Sequence, residues 1–151
     1  MGSSMGGWIG LLLLRRIPER IAGLATIAGA PDFTESHYFS SFDQAAHEEL
    51  EREGVVYVES PYDDDPYPIT QKLIEDGRKN LIFEQELSVS CPLRILHGTD
   101  DASIPVQTAQ RLFDHAEGPD TRMTLVKGAD HRFSTPDCLD LITDTVEQLL
   151  R

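Results

Sequence analysis

An α/β fold with a mostly parallel sheet and helices on both faces is predicted for this 151-residue chain, on three observations. The apolar run IAGLATIAGA, residues 21–30, ends at Pro31, and its length and flanks suit a strand covered on both faces. After Pro92, LRILHG reads as a second strand, followed by Val106, Ala109, Leu112, Phe113 and Ala116 at helical spacing and by a strand-like Met123 to Val126. A last helix opens with Thr135 as N-cap, Pro136 at the first helical position and Asp137 in the first turn. Strand and helix therefore alternate, which is the pattern of α/β layers.

The remaining elements follow in order. Gly and Ser crowd the first seven residues, and the run from Trp8 to Leu14, ended by Arg15, Arg16 and Pro18, predicts a tight turn into a helix buried on most sides. Between about residues 32 and 86 the composition turns polar and acidic. A helix is expected over 44–53, an extended segment over 55–58, a loop at PYDDDPYP and a helix over about 69–83. This segment is expected to be a lid within one domain spanning 1–151. The last helix is expected to bury Leu139, Ile142, Val146 and Leu149.

Composition narrows the function. Twenty-six acidic residues against 13 Lys plus Arg give a formal net charge of −13, which repels a phosphate backbone and an anionic lipid surface, so no nucleic-acid partner is expected. The longest apolar run is too short to span a bilayer, so no stable membrane insertion is expected. Cys91 and Cys138 form neither a CxxC pair nor a Cys/His spacing, so no metal site is expected, and two reduced thiols point to a cytoplasmic setting. The run Asp63, Asp64, Asp65 reads as a solvated loop, because adjacent side chains diverge where calcium loops alternate their ligands.

Three pieces could carry chemistry. GSSMG, Gly2 to Gly6, fits G-x-S-x-G, in which a serine sits on a strained strand-to-helix turn at a helix N-terminus; Ser4 is the candidate nucleophile. HGTDDASIP puts acids at the C-terminal end of a strand, with Asp101 the candidate triad acid and Asp100 the alternative. In GADHRFS, His131 lies between the last strand and the last helix; His37, His47, His97 and His115 are read as structural or exposed, His97 as partly buried. A serine hydroxyl is a poor nucleophile until a base takes its proton, and that base needs an acid to fix its tautomer. The backbone N–H of Met5 would then help hold the oxyanion.

GSSMGGWIGLLLL, CPLRILHGTDDASIP and DHRFS, together with the lid segment EREGVVYVESPYDDDPYPITQKLIEDG, resemble the mitochondrial palmitoyl-protein thioesterase and acyl-glucuronide esterase group of the α/β-hydrolases. The resemblance implies the C-terminal portion of that fold, starting at the nucleophile elbow. It implies cleavage of a small-molecule ester or S-acylated protein through an acyl-serine, without cofactor or metal. It leaves a mitochondrial location as the alternative to a cytoplasmic one. Relatives carry further strands and a second oxyanion donor upstream of the elbow. An open edge at the strand of residues 21–30, poor autonomous stability and self-association through uncovered apolar surface are therefore expected.

Overall fold

The computed structural model describes residues 1–59 and 65–150. In chain order its elements are β1 (Gly2–Ser3), α1 (Met5–Arg16), β2 (Leu24–Ile27), α2 (Gln44–Glu53), β3 (Val55–Val58), β4 (Tyr67–Thr70), α3 (Gln71–Arg78), β5 (Leu87–Ser88), β6 (Leu93–Gly98), α4 (Val106–His115), β7 (Ala116–Glu117), β8 (Thr121–Val126) and α5 (Pro136–Leu149). They divide into two compact units, one of residues 1–31 and 82–151 and the other of residues 32–81. The Pro61–Asp64 part of the expected loop, with Asp63 and Asp64 of the acidic run, lies outside the described residues.

In the first unit, four strands form a parallel sheet in the order β1-β2-β6-β8. Thr26 is level with Gly2 on one side and Ile95 on the other, and Ile95 is level with Met123. Every residue of β2 is buried, as a parallel strand between helical layers requires. This is the α/β layering expected from the alternating pattern, a parallel sheet flanked by helices. The edge expectation needs correction: β2 lies between β1 and β6, so the outer strand on that side is the two-residue β1.

Two helices differ from expectation in the face they bury. The helix α1 is covered on one side only, with Gly7, Trp8, Leu11 and Leu14 buried, whereas Met5, Ile9 and Leu13 are each about half exposed. A continuous apolar run has no polar stripe to mark its outer face, so sequence alone overstates its burial. In α5, Thr135 accepts from the Cys138 amide as expected of the N-cap, but Cys138 and Thr145 are the buried positions and Leu139 is exposed. Cys138 packs in a core with Ile27, Leu96, Ala129 and Phe133, flanked by Leu141, Ile142 and Val126.

The second unit has its own core of Leu50, Val56, Ile69 and Ile74, with Tyr38, Phe39 and Phe42 packed around it. Asp43 caps α2 by accepting from the Ala46 amide, and Gly54 ends that helix in the left-handed conformation. The helix expected over 69–83 is shorter, because Tyr67–Thr70 pairs antiparallel with Val55–Val58 as β4. Thr70 then turns N-cap, accepting from Leu73 at 3.1 Å, and α3 runs to Arg78. Arg78 forms a two-point ion pair with Glu35 and lies over the Phe39 ring.

Candidate active site

The chain leaves β1 through Ser4, whose φ of 49° and ψ of −121° lie where a non-glycine residue is strained by about 1–3 kcal/mol. Backbone hydrogen bonds hold it there: the Ser4 amide donates to Ile27, and the Ser4 carbonyl accepts from Gly7 and Ala30. A Cβ built at Gly2 would fall on the Gly6 carbonyl, and one at Gly7 would press on the Gly29 Cα at 3.0 Å. Steric necessity therefore lies at Gly2 and Gly7. A Cβ at Gly6, the motif's other glycine, would meet nothing within 4 Å. Met5 is the first residue of α1, so its amide has no intrahelical acceptor.

The acid comes from the loop after β6. Asp101 has no accessible side-chain surface, and its Oδ1 accepts from the Ser103 amide at 2.9 Å and the Ile104 amide at 2.8 Å. Its Oδ2 accepts from His131 Nδ1 at 2.8 Å. Burial pushes the Asp101 carboxyl up, but the His131 hydrogen bond and the Ile104 and Ser103 amides outweigh it and hold the group below its ordinary value. Asp100, the alternative, is exposed, and its carboxylate accepts from Thr99 Oγ1 at 3.0 Å. Thr99 Oγ1 in turn receives the Gly128 amide, so this pair braces the neighbouring turn.

His131 is brought in by the loop after β8, anchored by Phe133, which is buried and adopts a φ of 51°. With Nδ1 against a carboxylate, that nitrogen carries the hydrogen, and Nε2 presents its lone pair to Ser4 Oγ at 3.0 Å. The structure thus brings Ser4, His131 and Asp101 into one hydrogen-bonded line. A serine in that line can lose its proton as it attacks a carbonyl carbon. Among the described residues, no group of three His, Cys, Asp or Glu side chains is placed to hold a metal ion, and no helix is long and apolar enough to cross a membrane.

Close approach of the loops depends on Gly98, where a Cβ would fall on the Ala129 carbonyl. Gly98→Ala is expected to push the 129–131 loop away, destabilise the chain by about 1–3 kcal/mol in a thermal melt and slow covalent labelling of Ser4.

Of the other histidines, His115 donates from Nε2 to the carbonyls of Ile82 and Gln85, and His37 and His47 lie edge-on against aromatic rings. His97 is fully buried rather than partly so, and its Nε2 lies 2.9 Å from the Ile104 carbonyl and 3.4 Å from Asp101 Oδ2. Sequence reasoning missed this contact. Its one signal was the spacing of four residues between His97 and Asp101 at the end of a strand.

No family model matches the chain. The curated palmitoyl-protein thioesterase ABHD10, mitochondrial, is 28% identical in its human form over 99% of this chain and 49% of its own length, and 29% identical in its rat form over 99% and 50%. The chain therefore spans about half the length of the curated relatives it matches. A crystal structure from Agrobacterium vitis, described as a hydrolase, superposes with a TM-score of 0.94 at 34% identity, covering 99% of this chain and 60% of that one. Mouse alpha/beta hydrolase domain-containing protein 10 superposes with a TM-score of 0.86 at 27% identity, again over 99% and 60%. The expected cytoplasmic setting is corrected by the five curated relatives, each named as mitochondrial. Free thiols indicate only a reducing environment, so the cysteine argument does not separate the two compartments. The chain has the α/β-hydrolase fold, carries a Ser–His–Asp arrangement of serine-hydrolase type, and resembles the mitochondrial palmitoyl-protein thioesterase group over almost all of its length.

Proposed function

We propose that this chain supplies the catalytic triad of a serine esterase or thioesterase acting on S-acyl, palmitoyl-like thioesters or on carboxylic esters. The observation that carries the proposal is the line from Asp101 through His131 to Ser4, with both joints at hydrogen-bond distance. The thioester preference is supported by the curated relatives, which are palmitoyl-protein thioesterases by name.

Ser4 Oγ attacks the acyl carbonyl carbon as its proton passes to His131 Nε2, and the Met5 amide receives the developing oxyanion. Collapse expels the thiolate or alkoxide, which takes the proton from His131 and leaves an acyl-Ser4. Water then attacks, giving its proton to His131, and the carboxylic acid departs as Ser4 is reprotonated. The 32–81 unit falls in the chain between β2 and β5 and coincides with most of the segment of about 32–86 expected to be a lid. The substrate is a small ester or an S-acylated protein.

A second reading is a chain that binds acyl ligands without turning them over, alone or self-associated. The observation favouring it is that, among the described residues, the Met5 amide is the oxyanion donor found at the elbow, where the fold uses two. Intact-mass measurement after exposure to a fluorophosphonate separates the readings. A single adduct on Ser4, followed by faster release of thiol from an S-palmitoyl peptide than of p-nitrophenol from its palmitate ester, is expected from the first. Acyl-ligand binding with no adduct is expected from the second.

A further inference from the structure

We infer that His97 is a positioning residue for the triad acid, holding the Asp101 loop so that its carboxylate meets His131; this rests on the serine-hydrolase reading of the site. His97 stands at the end of β6, in register with Leu125 of β8, and is wholly buried, so its ring is fixed by the sheet rather than by a loop. Nε2 faces two acceptors, the Ile104 carbonyl at 2.9 Å and Asp101 Oδ2 at 3.4 Å. Neither can donate, so Nε2 carries the hydrogen. Nδ1 has no hydrogen-bond partner among the described residues, which leaves it nothing to donate to and fixes the same tautomer.

The shorter contact is the more informative one. Residue 104 is gripped at both ends: its carbonyl accepts from His97, and its amide donates to Asp101 Oδ1 at 2.8 Å. Pinning that residue through its two flanking peptides keeps the Ser103 and Ile104 amides aimed at Oδ1, which turns Oδ2 toward His131. The contact to Oδ2 is too long for a strong hydrogen bond, so it adds the pull of a ring N–H dipole on the same oxygen. A buried polar ring with one nitrogen unpaired is costly as mere packing, whereas an apolar side chain in this space would leave the Ile104 carbonyl without its donor. Its placement is accounted for by what Nε2 holds.

Three variants of the full chain test this. His97→Phe keeps a ring and removes the donor. His97→Asn, whose amide reaches only as far as Nδ1, serves where a melt shows that the phenyl ring is not accommodated. His97→Gln restores an N–H near the Nε2 position. Without the donor, the fluorophosphonate labelling rate and kcat are expected to fall about 10- to 100-fold with KM unchanged, since His97 lies behind the acid. The downfield proton resonance of the His131–Asp101 hydrogen bond is expected to move upfield. His97→Gln is expected to recover both readouts, which a role in packing alone would not give. An unchanged resonance and labelling rate in a folded His97→Phe or His97→Asn protein overturns the inference, as does a His97→Gln protein no better than the Phe variant. If the parent chain takes no label, the serine-hydrolase reading fails and the resonance alone decides the placement of Asp101.

Discussion

Ser4→Ala is expected to abolish the fluorophosphonate adduct and to lower ester or thioester turnover by at least about 10⁴-fold, with the fold intact. The substitution removes one atom, Oγ, whose hydrogen bond is to His131 Nε2. The backbone that strains residue 4 remains held by Ile27, Gly7 and Ala30, and alanine suffers the same left-handed φ as serine does. The melt should therefore shift by no more than the loss of one partly exposed hydrogen bond, about 1 kcal/mol. Activity and stability separate only if Oγ is the reacting atom. Full labelling of the Ser4→Ala chain would place the nucleophile elsewhere and sink the mechanism.

The parts of the site that were readable in sequence are those whose chemistry restricts residue type. A strained elbow needs glycine at Gly2 because the Gly6 carbonyl occupies the space of a side chain, and the pattern survives as GSSMG. Asp101 and His131 follow strands that are apolar enough to recognise, so each was placed at a strand end before its partner was known. Sequence favours Asp101 but leaves Asp100 open as the alternative, since adjacent acids differ only in which way the loop turns them. Amides of Ser103 and Ile104 settle that turn, and backbone amides leave no trace in residue identity. The same reason hid the role of His97, whose main partner is a carbonyl. Elsewhere, patterning failed where it was saturated or short. The unbroken apolar run of α1 conceals its exposed Met5, Ile9 and Leu13, and the short β4 is split by the sequence pattern between the loop, which takes Tyr67 and Pro68, and the helix, which takes Ile69 and Thr70.

Asp101→Asn is expected to lower kcat on the order of 10⁴-fold while leaving the chain folded, because it reverses the tautomer of His131 rather than removing a contact. The asparagine Oδ1 still accepts from Ser103 and Ile104, which turns its amide nitrogen toward His131 Nδ1. Two donors cannot face each other, so the ring hydrogen moves to Nε2 and meets Ser4 Oγ, where a lone pair is needed. Loss of about 5 kcal/mol of transition-state stabilisation follows from that one proton. The pH dependence of stability supplies an independent check. Asp101 is held below its ordinary 3.8 in the folded chain, so its contribution to stability is fully present above that value and is lost as pH falls through the lower folded value. Residue 101 no longer titrates in the Asn variant. The parent's stability advantage should therefore be constant near neutrality and shrink below about pH 4, where the unfolded chain begins to take up the proton first. Equal acid sensitivity of the two melts would mean that the carboxylate is not held by His131 and the loop amides, and the line from Asp101 to Ser4 would lose its first joint.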